Sequence, residues 1–230
     1  MARRLQRDLP SGIELHYPDA HFSVPCRRRR RRPAFLAGDT TFRGWSPADD
    51  AVDSEVRMKE SLRRLLSYVS RYGPFDGVLG LGQGATIGAL LVSLCEDLVR
   101  TPEQACRALS IQSAPRRLRR FKYFISVAGC KLANIAYNSF YEPKTTIASL
   151  HLVSEMGPFD LVARMDALPF CFENAEVVQY FRWHSWPNIK ENRSKLFAFI
   201  LKEITGEESL EVRDHVPMLD VLVEFSGPFR

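Results

Sequence analysis

The stretch Gly73-Pro-Phe-Asp-Gly-Val-Leu-Gly-Leu-Gly-Gln-Gly-Ala85 lies in the middle of a chain of 230 residues. Its apolar run from Val78 to Leu81 is typical of a short buried strand. From Ala85 to Leu98, apolar side chains recur at helical spacing. The glycines between the two segments permit a sharp turn. The stretch therefore predicts a buried strand that turns directly into a helix.

The same unit of strand, turn and helix carries the nucleophile of α/β-hydrolases, in the motif G-x-S-x-G. The quoted stretch closely resembles the elbow of the family of serine hydrolases known as FSH, which are small esterases and thioesterases. The resemblance implies an α/β fold with a mostly parallel central sheet flanked by helices. It also implies hydrolysis of a small acyl ester or thioester. The resemblance also implies that the elbow and its part of the oxyanion hole are formed by Gly80, Gln83 and Gly84.

Gly82 stands where the motif has serine. An elbow serine is held in strained backbone angles, at a cost of roughly 1 to 3 kcal/mol, which glycine avoids. Glycine therefore keeps the turn but removes the hydroxyl, and loss of the nucleophile reduces turnover by about 10⁶ in a serine hydrolase. We predict a protein that is inactive or strongly impaired. The alternative of a phosphate-binding turn is disfavoured, because the Lys and Ser/Thr of a P-loop are missing.

The composition favours one globular domain rather than a membrane or secreted protein. Hydrophobic residues make up 45% of the chain and charged residues 26%, which is ordinary for a soluble domain, and no apolar run is long enough to span a bilayer. The start of the chain lacks the apolar stretch of a secretory signal. Five scattered cysteines without a C-x-x-C pair indicate a reducing compartment. We expect a cytoplasmic protein, with the nucleus as the alternative, and neither a cofactor nor a metal, because the five histidines are dispersed.

The first part of the chain departs from the family pattern. The strand predicted at Ile13–Tyr17 and the segment Tyr17-Pro-Asp-Ala-His21 resemble the family, but the family's preceding strand, which ends in Leu-His-Gly, is absent. The resemblance places that strand centrally, beside the elbow strand, where its following loop supplies half of the oxyanion hole. We therefore expect a sheet that lacks the first strand. Met218–Gly227 could fill the slot, or could be a surface strand, or the chain could be incomplete.

The predicted organisation is a single hydrolase domain over residues 1–205 with a C-terminal extension over 206–230. Within the domain, residues 22–50 are expected to form an arginine-rich variable loop. The run Arg27–Arg32 contributes six positive charges, which is more than the net charge of +5 of the whole chain. Such a run can bind an anionic partner, namely nucleic acid, anionic lipid or an import receptor, although a solvated insertion is the commoner reading. Arg116–Arg120 forms a second basic segment.

The remaining periodicity predicts the other elements of the fold. They are helices at Asp53–Arg71, Asp166–Glu173 and Asn192–Thr205, and strands at Phe121–Gly129, Thr146–Ser154 and Glu176–Phe181. His151 lies inside a predicted strand, so we expect a packed core histidine.

The catalytic partners are assigned through the resemblance. His184, three residues before Pro187, matches the general base, although bulky residues replace the glycines that precede it in the family. Gly157 stands where the family has the orienting aspartate, and Asp160 is a candidate substitute. Cys130 follows a strand that neighbours the elbow, so it is an alternative nucleophile, or a structural residue.

Three functions remain open from the sequence. The first is a divergent hydrolase without full activity. The second is a non-catalytic binding protein that uses the hydrolase pocket or its arginine-rich surfaces to hold an anionic partner. The third is a truncated product without a settled function.

Overall fold

The computed structural model describes residues 13–24, 42–45, 54–115, 118–181, 190–205 and 219–225. Within these ranges the strands are β1 (Ile13–His16), β2 (Phe22–Val24), β3 (Phe42–Gly44), β4 (Gly77–Leu81), β5 (Tyr123–Val127), β6 (Thr145–Ser154), β7 (Phe172–Tyr180) and β8 (Leu219–Phe225). The helices are α1 (Ser54–Tyr72), α2 (Gln83–Arg100), α3 (Pro102–Leu109), α4 (Phe159–Ala167) and α5 (Lys190–Thr205). Short 3₁₀ segments span Ile135–Phe140 and Pro169–Cys171.

Six strands form one sheet in the order β1-β8-β4-β5-β6-β7, and every neighbouring pair in it is parallel. This arrangement confirms the predicted α/β architecture. The strands β4 and β5 are buried along their whole length, as expected for parallel strands that are covered on both faces. One apolar cluster packs α1, α2 and α3 against the sheet, and a second cluster packs α5 against the other face.

The strand β8 occupies the central slot that the resemblance assigns to the family's first strand. Its Leu219 is in register with Ile13 of β1, and its Phe225 is in register with Leu81 of β4. The edges of β1 and β4 that face this slot are therefore both paired. The sequence offered Met218–Gly227 as one candidate for the slot, and the structure places Leu219–Phe225 of that segment there. The boundary between a domain at 1–205 and an extension at 206–230 stays a prediction.

Two elements differ from the sequence-based prediction. The helix predicted at Asp166–Glu173 is wrong: α4 begins seven residues earlier, directly after Pro158, which presets the backbone for a helix start. Pro169 follows the helix and opens the 3₁₀ segment, so Phe172 and Glu173 belong to β7. The helix α3 was not predicted, because its sequence is mostly polar. In the structure it begins at Pro102 and ends at Ser110, which adopts a left-handed conformation.

In the region predicted as a variable loop at residues 22–50, the structure describes two short strands instead. There β2 and β3 pair antiparallel, with Phe22 opposite Gly44 and Val24 opposite Phe42. The run Arg27–Arg32 between them lies outside the described residues. Among the helices of the described ranges, none is long and apolar enough to cross a membrane.

Candidate active site

The elbow is centred on Gly82, which joins β4 to α2. Its backbone adopts φ 58° and ψ −117°, a region that L-residues occupy only with strain. The Gly82 N–H donates to the carbonyl of Val127 over 2.8 Å, and the Gly82 carbonyl accepts the Thr86 N–H over 3.1 Å. The turn is therefore fixed on one side to β5 and on the other to the first turn of α2. This is the geometry of a nucleophile elbow, with a hydrogen atom where the nucleophile's side chain would begin.

Close packing around Ala85 holds this turn in place. A Cβ atom built on Gly80 would lie 2.3 Å from the Cα of Ala85, which is far inside van der Waals contact. A Cβ atom built on Gly129, in the loop after β5, would lie 2.6 Å from the Cβ of Ala85. The strand β4, the start of α2 and the loop after β5 therefore meet at Ala85 without intervening side chains. Only glycine fits at positions 80 and 129.

Gln83, the first residue of α2, connects the elbow to the chain beyond β3. Its Oε1 accepts the backbone N–H of Trp45 over 2.9 Å. The Trp45 carbonyl in turn accepts the hydroxyl of Ser61 on α1 over 2.6 Å, and the indole is 1% exposed. Trp45 is thus fixed between the elbow and α1. The sequence assigned Gln83 to the elbow, but gave no sign that Ser61 supports the same structure, since one serine on a helix carries no distinguishing pattern.

Cys130 lies near the elbow, as the sequence predicts, but its thiol is a poor nucleophile. Its backbone N–H donates to the Thr86 hydroxyl over 3.0 Å, which places it against the first turn of α2. The side chain packs in a small apolar cluster with Val153 and Met165. Burial raises the pKa of the Cys130 thiol to about 11, and the nearby Arg164 guanidinium opposes this only in part. About one thiol in 10⁴ is ionised at pH 7 with such a pKa, so the structural role is favoured.

Asp160 lies in the first turn of α4, and its side chain is exposed. It is part of a helix that follows β6, rather than part of the re-routed loop that would bring it to the histidine. A carboxylate in this position interacts favourably with the positive end of the helix dipole, which gives it a structural reason to be there. His184 lies outside the described residues. The pairing of Asp160 with His184 stays a prediction, as does the role of His184 as general base.

His151 is a core residue, as the sequence predicts. It is 1% exposed, and its Nε2 lies 3.0 Å from the Ser149 hydroxyl oxygen. The ring meets Phe124 and Phe172 edge-on, with centroid distances of 5.9 and 5.0 Å. Burial lowers the pKa of His151 to about 3, so the ring is neutral at physiological pH. Its environment of aromatic rings makes it a packing residue.

The described part of the site is therefore a strand, a sharp turn and a helix start, and the residue at the turn, Gly82, has no side chain. The strand, the strained turn, the helix start and the glycine contacts are all in place. Ser93, on the same helix, is buried and donates its hydroxyl to the Phe140 carbonyl, so it serves the packing of α2.

Several known proteins are similar in sequence to this chain. The protein named dihydrofolate reductase of Schizosaccharomyces pombe is 28% identical over 232 residues, which cover 97% of this chain and 47% of that protein. Esterase OVCA2 of Danio rerio is 27% identical over 216 residues, covering 85% of this chain and 86% of the esterase. Family of serine hydrolases 3 of Saccharomyces cerevisiae is 30% identical over 191 residues, covering 78% and 62%. The chain thus spans less than two thirds of the first and third of these relatives.

The family described as Serine hydrolase (FSH1) matches residues 2–196. That range contains β1 to β7 and the elbow, and ends before β8. The chain therefore belongs to the serine hydrolase (FSH1) family of the α/β-hydrolase fold.

Proposed function

We propose that this chain is an ester or thioester hydrolase-fold protein whose serine-dependent turnover is lost or greatly reduced. One observation carries the proposal: Gly82 occupies the apex of the elbow with a positive φ of 58°. The residue at that position would carry the nucleophilic hydroxyl, and glycine has no side chain to supply it. Loss of the nucleophile alone reduces turnover by about 10⁶ in a serine hydrolase, while binding and oxyanion stabilisation persist.

The surroundings of the elbow support loss of turnover rather than replacement of the nucleophile. Cys130 is the alternative nucleophile that the sequence suggests, and burial raises its pKa to about 11, which leaves it protonated at neutral pH. Cys95, on α2, is completely buried, and burial also raises its pKa far above its usual value. A buried protonated thiol attacks esters slowly, because the thiolate is the reactive form.

A second candidate function is a non-catalytic binding protein that holds an anionic partner in the hydrolase site or on its arginine-rich surfaces. The observation that favours it is the intact support of the elbow. The close contact of Gly80 with Ala85 and the hydrogen bond from Trp45 to Gln83 are both present beside Gly82, which supplies no hydroxyl. The arginine run Arg27–Arg32 offers a separate surface for an anionic partner within this second candidate.

The test is hydrolysis of p-nitrophenyl acetate by the wild type and by Gly82→Ser, with Gly82→Ala as the matched control. Alanine introduces the same backbone strain as serine but no hydroxyl. We expect no enzymatic turnover by the wild type or Gly82→Ala, and a gain of about 10²-fold or more over background in Gly82→Ser. Turnover by the wild type that survives in Gly82→Ala would overturn the proposal. Cys130→Ser and His184→Ala would then identify the groups responsible.

The two candidate functions separate in the Gly82→Ser protein. If turnover appears and His184→Ala abolishes it in the Gly82→Ser background, the catalytic geometry is intact and the serine was the main loss. If Gly82→Ser is folded but inactive, the binding role is favoured. Isothermal titration of the wild type with decanoic acid then tests that role, and the absence of measurable binding would contradict it.

A further inference from the structure

A groove of about 380 Å³ lies between α1 and the loop that follows α3. On the α1 side it is lined by the C-terminal half of the helix. The helix ends at Tyr72, five residues before β4 begins at Gly77. The loop side of the groove leads toward the start of β5 at Tyr123. The groove therefore lies near the amino ends of the strands, at the opposite end of the sheet from Gly82. It is separate from the elbow and has no part in the hydrolase geometry.

The helix contributes a row of donors to this groove. Arg63, Ser67, Ser70 and Arg71 all line it, together with the apolar Leu66. The spacings of four residues from Arg63 to Ser67 and from Ser67 to Arg71, and of three from Ser67 to Ser70, place them on one side of α1. Two arginines and two serines thus line one groove, and the Arg71 guanidinium also lies over the Tyr72 ring, 5.3 Å from the ring centroid.

The opposite wall of the groove is fixed in position. Its residues are Ile111, Ser113 and Pro115, so it adds a third hydroxyl. Arg63 ties the two walls together, because its Nε donates to the carbonyl of Leu109, the last residue of α3, over 2.7 Å. A guanidinium has five N–H donors, and this bond uses one of them. The fork of Arg63 is therefore held in place while keeping donors for a ligand.

The charge of the groove is positive. None of the described residues that line it is acidic. The ion pairs of α1 join Glu55 to Lys59 and Glu60 to Arg64, and these four residues lie outside the lining. In the sequence, Arg116 and Arg117 follow directly after Pro115. Arginine in pairs, with hydroxyl donors between, is the combination that recognises phosphate, whose oxygens accept several charge-assisted hydrogen bonds.

From these contacts we propose that the groove binds the phosphate group of a small phosphorylated molecule. The phosphate lies between the guanidinium groups of Arg63 and Arg71 and accepts hydrogen bonds from Ser67, Ser70 and Ser113. Leu66, Ile111 and Pro115 cover a short apolar part of the ligand. The volume is near the lower end of small-molecule sites, about 300 to 1,000 Å³, which suits a phosphate with a small attached group.

The test is a titration of the full-length protein with inorganic pyrophosphate, followed by ¹H–¹⁵N NMR. We expect the largest shifts at the amides of residues 63–71 and 109–115. The Arg71→Gln variant removes a charge from an exposed side chain, and we expect it to weaken binding by about tenfold. The matched control is Arg64→Gln, one residue from Arg63 on the same helix but paired with Glu60. We expect the control to bind within about twofold of the wild type.

Ser67→Ala is a second variant, and it leaves the Arg63 contact with Leu109 in place. A further loss of affinity in Ser67→Ala supports the hydroxyl contacts. The proposal is overturned if the shifts occur outside these two segments, for example only at the arginine run, or if Arg64→Gln and Arg71→Gln weaken binding equally. It is also overturned if sodium acetate at the same concentrations produces the same shifts, because the site would then not distinguish phosphate from a carboxylate.

Discussion

Gly80 and Ala85 are in such close contact that a Cβ atom on Gly80 would lie 2.3 Å from the Cα of Ala85. The contact joins the middle of β4 to the first turn of α2, across the turn at Gly82. It fixes the direction in which the helix leaves the strand. The obstacle to a side chain at position 80 is backbone, which cannot rotate away as a side-chain terminus can.

The Gly80→Ala variant is therefore expected to lose about 3 kcal/mol or more of unfolding free energy, because α2 must shift to accept the methyl group. Urea denaturation monitored by circular dichroism measures this loss. A Gly80→Ala protein that unfolds within about 1 kcal/mol of the wild type would contradict the close contact.

The Gly82→Ala variant tests a different cost, that of the backbone angles. At φ 58° and ψ −117°, any L-residue is strained, and we expect a loss of about 1 to 3 kcal/mol. Gly82→Ser should lose a similar amount, since the strain lies in the backbone. The same urea experiment checks both variants. Equal or greater stability of Gly82→Ala than of the wild type would show that the turn does not impose these angles.

The elbow could be predicted from the sequence because its signals are local. The apolar run of β4, the alternating glycines and the helical spacing after Ala85 lie within about two dozen residues. By contrast, the helix α4 was misplaced, because Met165 is its one buried residue and its start follows Pro158, which sequence periodicity does not register. Local signals identify the element type more reliably than its boundaries.

The contacts that complete the site join distant parts of the chain, so periodicity cannot reveal them. Trp45 and Gln83 are 38 residues apart, and Ser61 reaches the same tryptophan from α1. The pairing of β8 joins residues that are even farther apart in the chain, since Leu219 is in register with Ile13 and Phe225 with Leu81. The sequence showed an apolar C-terminal segment and an unfilled slot, but it did not decide between that slot and a surface position.

The position of β8 can be tested by proline substitution. In the sheet, Val223 of β8 is in register with Leu79 of β4, so a proline at Val223 removes a backbone donor from the strand next to β4. We expect Val223→Pro to lose about 3 kcal/mol or more and hydrogen exchange of the β4 amides to accelerate. Val223→Ala keeps the N–H and is the matched control, with a smaller loss. If the two variants unfold alike and β4 stays protected, β8 does not lie in the sheet.

His151 makes stability depend on pH. Its pKa is lowered by burial to about 3 in the folded state, against an ordinary value of about 6.5 in the unfolded chain. Between these two values the unfolded chain binds a proton that the folded protein does not. Stability therefore falls as the pH decreases through 6.5, with a limiting slope of about 1.4 kcal/mol per pH unit from this residue.

Replacing His151 with leucine removes this proton-linked part of the stability. We expect the loss of unfolding free energy between pH 7 and pH 5 to be smaller by about 2 kcal/mol in His151→Leu than in the wild type, whatever the stability of the variant at pH 7. Urea denaturation at pH 5, 6 and 7 measures the difference. Parallel pH profiles for His151→Leu and the wild type would mean that His151 is protonated as easily in the folded protein as in the unfolded chain, which its aromatic surroundings oppose.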